Sequence, residues 1–454
     1  MPIRLREAMM KNNSMKRFFT HLPLLSSISI CFYVYFPGFM TNDSYLQLGE
    51  ALSHQYSSDH PAIMSALWAL LLPLAPKLHP QTPLLVFHML CLVAGLWMIF
   101  SATFPSREKL IPVCIAFFLL WPPILGLMGN IWKDVGMVSV WLLAVGLILK
   151  AQFEHKFNLL WWALIPLFYG MSVRHNAPPA MLPLLLWMCW IWSKGASKAI
   201  LLKRATSLLL ALFLLSALLS KALTWGSDRS FIHKYTLFDL AGISINTGKV
   251  IMPDYNQDIK LNELKEIYTP KTNEPLFGSW ATKALNGPST SEQSKETTAL
   301  WLKSVLTHPL AYLKHRSQVF GATIGMTHQI QFPYHMRVSP NQIGNKSLQD
   351  FITPVRAPVT KIVKFFSQSL LFKGYLYLLL NIAVFLFFWK KRSFAFREFY
   401  LALSASSILY IATLFPMTGA SDFRYNIWSL CTAVLIALHW TLSKSSPDPR
   451  IEIA

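Results

Sequence analysis

Apolar runs of roughly 15–24 residues, the length that carries a helix across ~30 Å of hydrocarbon, recur along most of this chain. They fall at 21–37, 83–104, 110–128, 135–149, 157–173, 177–192, 205–223, 371–388, 398–415 and 426–442. The pattern predicts an all-α polytopic membrane protein: about ten transmembrane helices, interfacial helices and one large outer-face loop region. One further apolar run, 61–76, is short and holds Pro61, Pro73 and Pro76. It is read as an interfacial or re-entrant segment rather than a span.

The course of 61–76 sets the parity of every later span. If it does not cross, Arg107 and Lys109, Lys150 and Lys156, Lys194 to Arg204, Lys390 to Arg397, and Lys444 and Arg450 share one face. The short loops of the other face then hold one Lys or Arg each. If it crosses, most of these clusters change sides. The positive-inside rule favours the first arrangement, with both ends cytoplasmic. The expected organisation is a cytoplasmic N-terminus (1–20), a membrane domain (21–223) with an outer loop (38–60) and an interfacial helix (61–76), a large periplasmic region (224–370), C-terminal transmembrane helices (371–442) and a cytoplasmic tail (443–454). Within the large region, 296–320 has the spacing of an amphipathic surface helix. Residues 253–294, rich in Pro, Asn, Gly and Ser, read as loop.

A formal charge of +20 would point to nucleic acid in a soluble protein. Here the excess sits in clusters between apolar runs, so it reports topology, and no nucleic-acid partner is expected. Cys31, Cys91, Cys114, Cys189 and Cys431 all lie within apolar runs, which excludes a disulfide framework in the loops. The basic N-terminus followed by an apolar run has no small-residue cleavage site and is read as a retained anchor.

Charged residues at span edges carry the candidate chemistry, because acids beside apolar segments are costly unless they have a role. The stretch 40–61, MTNDSYLQLGEALSHQYSSDHP, holds Asp43, Glu50 and Asp59, with His54 and His60. Asp43 suits a carboxylate that takes or orients a hydroxyl proton; Asn42-Asp43-Ser44 also suits a helix N-cap. Asp59-His60-Pro61 can serve as a second acid or acceptor contact, or as a cap with Pro at the first helical position. Lys133-Asp134 closes an outer loop. Asp134 is a second candidate catalytic carboxylate, able to share a divalent metal such as Mg or Mn with Asp43, and Lys133 suits a phosphate. Arg174-His175 and Asp422-Phe423-Arg424-Tyr425 stand at further span edges, where arginine suits phosphate or snorkels to the interface. Arg229 and Arg316 are further candidates for an anionic headgroup, though residues of this kind are more often solvated. His88, within a span, is read as an interior packing residue.

In order and sidedness these motifs resemble the GT-C superfamily of polytopic glycosyltransferases. The resemblance rests on the early outer-loop Asp43, the Asp59-His60-Pro61 turn into a short helix (with Ala62 where a second proline is common), Trp132-Lys133-Asp134, and Asp422-Phe423-Arg424-Tyr425. It covers most of the chain in topology and four short motifs in sequence. It implies a polyprenyl-phosphate-linked sugar donor and inversion at the anomeric carbon. Asp43 would act as base or acceptor-positioning carboxylate, and Lys133, Arg174, Arg424 or a metal would ease phosphate departure. The acceptor would be an outer-face glycan, lipid or protein, for example a lipopolysaccharide O-antigen, and the setting a bacterial inner membrane with the site on its periplasmic face. Two other readings stay open: a flippase or exporter of lipid-linked glycans, and a glycan polymerase or ligase using a lipid-pyrophosphate donor.

Overall fold

The computed structural model describes residues 3–57, 60–75, 79–225, 232–278, 283–327, 329–340, 342–343, 346–347 and 353–444. In chain order its helices are α1 (Ile3–Tyr35), α2 (Asn42–Ser53), α3 (Ala62–Leu71), α4 (Thr82–Thr103), α5 (Ile111–Leu120), α6 (Pro122–Leu127), α7 (Lys133–Phe153), α8 (Asn158–Ser172), α9 (Pro178–Trp192) and α10 (Lys198–Leu223). The region expected on the outer side adds α11 (Ile232–Thr247), α12 (Leu261–Ile267), α13 (Glu274–Phe277), α14 (Ser291–Thr307) and α15 (Pro309–Thr323), and the C-terminal part α16 (Arg356–Phe366), α17 (Gly374–Lys390), α18 (Arg397–Met417) and α19 (Ile427–Lys444). A two-residue hairpin, Gln342–Ile343 against Lys346–Ser347, is the strand pairing among the described residues.

The chain is an all-α polytopic membrane protein. Five helical stretches are long and apolar enough to cross a bilayer: Thr82–Thr103, Lys133–Phe153, Lys198–Leu223, Arg397–Met417 and Phe423–Lys444. Phe19–Tyr35, Ile111–Leu120, Pro178–Trp192 and Gly374–Lys390 are shorter apolar helices. Each of the ten runs read as spans is helical over most of its length. The run 110–128 is divided between α5 and α6, because Pro122 and Pro123 lack amide donors and Trp121 before them is held extended (φ −59°, ψ 123°).

Small residues let the spans approach. A Cβ on Gly95 of α4 would lie 2.7 Å from the Leu142 carbonyl of α7, and one on Gly146 would lie 2.8 Å from the Gly95 carbonyl. The two backbones touch only because neither position carries a side chain. Polar glue joins α17 to α19: Asn381 Nδ2 donates to the Ser429 carbonyl at 3.0 Å, and Thr432 Oγ1 donates to Asn381 Oδ1 at 3.2 Å. His88 is buried where Gly136 leaves room for its ring.

The segment from His60 to Thr82 enters and leaves the bundle at one end. His60 reaches Lys133 at the start of α7, while Thr82 Oγ1 donates to the Pro37 carbonyl just past α1, at 3.0 Å. Between them, α3 and its following turn (Leu72–Leu74) are too short to span ~30 Å at 1.5 Å per residue.

The outer region has its own apolar core, with Leu237, Phe238, Leu264, Leu276 and Val319 buried in it. The stretch 253–294, read as loop, contains α12, α13 and the 3₁₀ turn Asp254–Asn256. These pieces are shorter than the window over which helical periodicity shows. The helix expected over 296–320 is two helices, parted at His308-Pro309 where proline opens α15. Leu302, Leu306, Leu310 and Leu313 remain exposed along them. Beyond α15 the chain returns to the bundle and is pinned to the segment before α2: Met40 N–H donates to the Arg337 carbonyl at 3.2 Å, and Ser339 N–H to the Met40 carbonyl at 2.9 Å.

Candidate active site

Asp43 does not cap its helix. Thr41 is the N-cap of α2, and its N–H donates to Ser44 Oγ at 3.3 Å. Ser44 Oγ donates to the Ile131 carbonyl at 2.9 Å, and Trp132 Nε1 donates to Thr41 Oγ1 at 2.9 Å. These bonds stitch the first turn of α2 to the start of α7 and leave the Asp43 carboxylate aimed elsewhere. Asp43 Oδ2 pairs with Arg424 Nη2 at 2.9 Å, across nearly the whole sequence. Glu50, farther along α2, accepts from Ser57 N–H (2.9 Å), Ser57 Oγ (2.6 Å) and Ser65 Oγ (2.7 Å). It braces the turn between α2 and α3.

Arg424 is the hub. Its Nε pairs with Asp422 Oδ2 at 2.9 Å, its N–H donates to Asp422 Oδ1 at 3.0 Å, and its guanidinium lies 4.8 Å from the Trp132 ring centroid. Tyr425 stands between Arg424 and Arg174, each 5.3 Å from its ring centroid. Arg174 Nη2 pairs with Asp134 Oδ1 at 2.9 Å, with the Tyr410 hydroxyl 3.4 Å away. Lys133 Nζ donates to His60 Nδ1 at 2.9 Å.

Burial alone would raise the Asp43 carboxyl. Arg424, with Lys133 behind it, outweighs burial and holds it well below the usual carboxylate range. Burial pushes Asp422 up to about 6 against the pull of Arg424. Burial, and then the Lys133 charge, push His60 down to about 3, so it meets the lysine as a neutral acceptor.

Asp43, His60, Lys133, Arg174, His175, Arg424 and Tyr425 line one groove of about 510 Å³. Asp134 and Asp422 are not among its lining residues; each stands behind an arginine that is. Asp59 lies outside the described residues, as does Arg229. The far wall comes from the outer region and includes Lys234, Tyr235, Asp239, Asn273, Glu274, Trp301, Tyr312 and Arg316.

Arg316, a further candidate of a kind more often solvated, is buried and lines the groove. It pairs with Asp239 at 2.7 Å, and its Nη1 donates to the Thr418 carbonyl at 2.7 Å. Asp239 also accepts from Trp301 Nε1 at 2.8 Å, and His315 Nε2 stands 3.1 Å from it. Asp239 had a visible signal: a lone acid in the apolar stretch YTLFDLAG. Its partners, some 60 to 80 residues away, had none.

The carboxylates read as metal ligands do not fit a divalent ion. Asp43 and Asp134 are each occupied by a guanidinium, and among the described residues no three His, Cys, Asp or Glu side chains converge. Positive charge here comes from Lys133, Arg174 and Arg424.

No family model and no curated protein matches the chain. Among solved structures, archaeal oligosaccharyltransferase AglB from Archaeoglobus fulgidus, in complex with an inhibitory peptide and a dolichol-phosphate, is similar over 95% of this chain and 52% of its own, at 9% identity and a TM-score of 0.38. This chain thus spans about half the length of that one.

Proposed function

We propose that the protein is a membrane glycosyltransferase of GT-C type, moving a sugar from a polyprenyl-phosphate donor to an acceptor hydroxyl at the outer face, with inversion. The observation that carries this is the convergence of Asp43 with Lys133, Arg174 and Arg424 on one groove, from four distant parts of the chain. Donor phosphate is taken to sit among the three cations, whose charge offsets what builds up as the bond breaks. The acceptor oxygen attacks the anomeric carbon. The bond from that carbon to the phosphate oxygen breaks, its electron pair leaves with polyprenyl phosphate, and the acceptor proton passes to or is oriented by Asp43. Arriving phosphate competes with Asp43 for Arg424, so donor binding loosens the carboxylate at the moment it is needed. Asp134 and Asp422 act by holding Arg174 and Arg424 in place. The acceptor is an outer-face glycan, lipid or protein, with lipopolysaccharide O-antigen as one example, and the setting a bacterial inner membrane.

In cells lacking the gene, wild-type protein is expected to restore a glycan heavier by one hexose, pentose or aminosugar in mass analysis. Asp43→Asn should lower that product at least ~100-fold at equal protein level. Full product from Asp43→Asn would end the reading.

A further inference from the structure

At the end of the bundle opposite the groove, α10 stands apart: Ala205 is its one buried residue among those described, although its length and apolarity suit a span. A cavity of about 1170 Å³ opens between the first turns of α10, the start of α8 and the end of α9. Ile200, Arg204, Ser207 and Leu208 face it, the spacing of a single helix face. Opposite them Trp161 and Trp192, 58% and 55% exposed, meet edge to face at 4.9 Å between centroids.

Lys194, Lys203 and Arg204 rim this cavity, and no Asp or Glu is among its lining residues. Arg204 touches the Ser193 hydroxyl; among the described residues none of the three cations has an ion-pair partner. Glu154, in the neighbouring turn between α7 and α8, is already taken by Lys150 and Lys156 at 2.8 and 2.7 Å. Lys194, Lys203 and Arg204 stand at the mouth of a cavity with apolar walls and paired tryptophans.

We propose that this cavity holds an anionic phospholipid of the surrounding membrane. Its phosphate sits on Lys203 and Arg204 beside Lys194, and one acyl chain runs inward along Leu164, Met188 and Leu208. Charge favours an anionic headgroup, and the apolar lining suits a chain. The occupant is a bulk lipid rather than a lipid-linked donor, because the cavity opens at the end away from Asp43.

The test uses the full chain in phosphatidylcholine nanodiscs doped with phosphatidylglycerol, released into detergent, with retained lipids counted by native mass spectrometry. Wild type is expected to keep phosphatidylglycerol over phosphatidylcholine. The triple variant Lys194→Gln, Lys203→Gln, Arg204→Gln should lower that retention at least tenfold. Ser207→Trp, which projects an indole into the path of the acyl chain beside Leu208 and leaves the charge alone, should do the same. The control Lys390→Gln, Lys391→Gln, Arg392→Gln, at the same end, should change nothing. The proposal is overturned if the control loses as much lipid as the cavity triple, if phosphatidylcholine is kept equally well, if polyprenyl phosphate displaces the phosphatidylglycerol, or if Ser207→Trp keeps as much phosphatidylglycerol as wild type. Should the triple variant fail to fold, Ser207→Trp decides the matter with all charges intact.

Discussion

Tyr425 sits between two guanidiniums, and each guanidinium has an acid behind it. The Arg174 side chain is 10% exposed and Asp134 0% exposed. Removing one partner of so dry a pair strands the other charge, so Arg174→Ala is expected to cost about 3–5 kcal/mol in denaturant unfolding. The double variant Arg174→Gln, Asp134→Asn should recover much of that loss; no recovery would mean that the pair is not the source of the cost. Asp422 is the group expected to set the acid limb of the pH response. Below about 6 it is neutral and above that it is charged, so its grip on Arg424 is complete only on the alkaline side. Activity is expected to fall on acidification through an ionisation near 6. Asp43, held well below the carboxylate range, and His60, at about 3, do not titrate there. Asp422→Asn should erase this acid limb of the pH–rate profile. A raised carboxyl contributes most stability below its ordinary value of 3.8, and that contribution is lost as pH rises through about 6. Its effects on stability and on rate therefore run in opposite directions across this window. Lys133, Arg174 and Arg424 were legible in the sequence because charge is rare at the edges of apolar runs. Which acid holds which cation was not, because Asp43 and Arg424 meet only through the fold.

At the scale of elements, the crossing of α4 and α7 is the tightest test of packing. Gly95→Val should force the two backbones apart and cost about 1–3 kcal/mol, read as a lower unfolding temperature in detergent. An unchanged midpoint would show that the helices have slack at this crossing. The spans themselves were plain from hydropathy, since a bilayer admits few alternatives to a helix. The divided helix at Trp121–Pro122 follows from two prolines that hydropathy does not weigh. The outer region was opaque for a different reason. Its helices α12 and α13 have seven and four residues, and their burial depends on contacts with α11 and α15 that no local pattern encodes.

At the scale of the molecule, the return of 60–82 to one end sets the parity of the later spans. An impermeant maleimide should label Ser291→Cys in intact cells and Lys390→Cys only after the membrane is opened. Both positions are exposed, while Cys31, Cys91, Cys189 and Cys431 are buried. Labelling of both from outside would undo the topology. The segment 418–423, just before α19, is fastened to the outer region at several points. Arg316 holds the Thr418 carbonyl, Asn273 N–H donates to the Gly419 carbonyl at 2.8 Å, Ser421 N–H to the Lys271 carbonyl at 2.6 Å, and Phe423 N–H to the Phe332 carbonyl at 3.0 Å. Arg424 follows directly on this segment. Displacing the outer region therefore drags the guanidinium that bridges Asp43 and Asp422. An occupant of the far wall that shifts this segment would change the affinity of the cationic wall, and by thermodynamic reciprocity an occupant of the cationic wall would change the affinity of the far wall by the same factor.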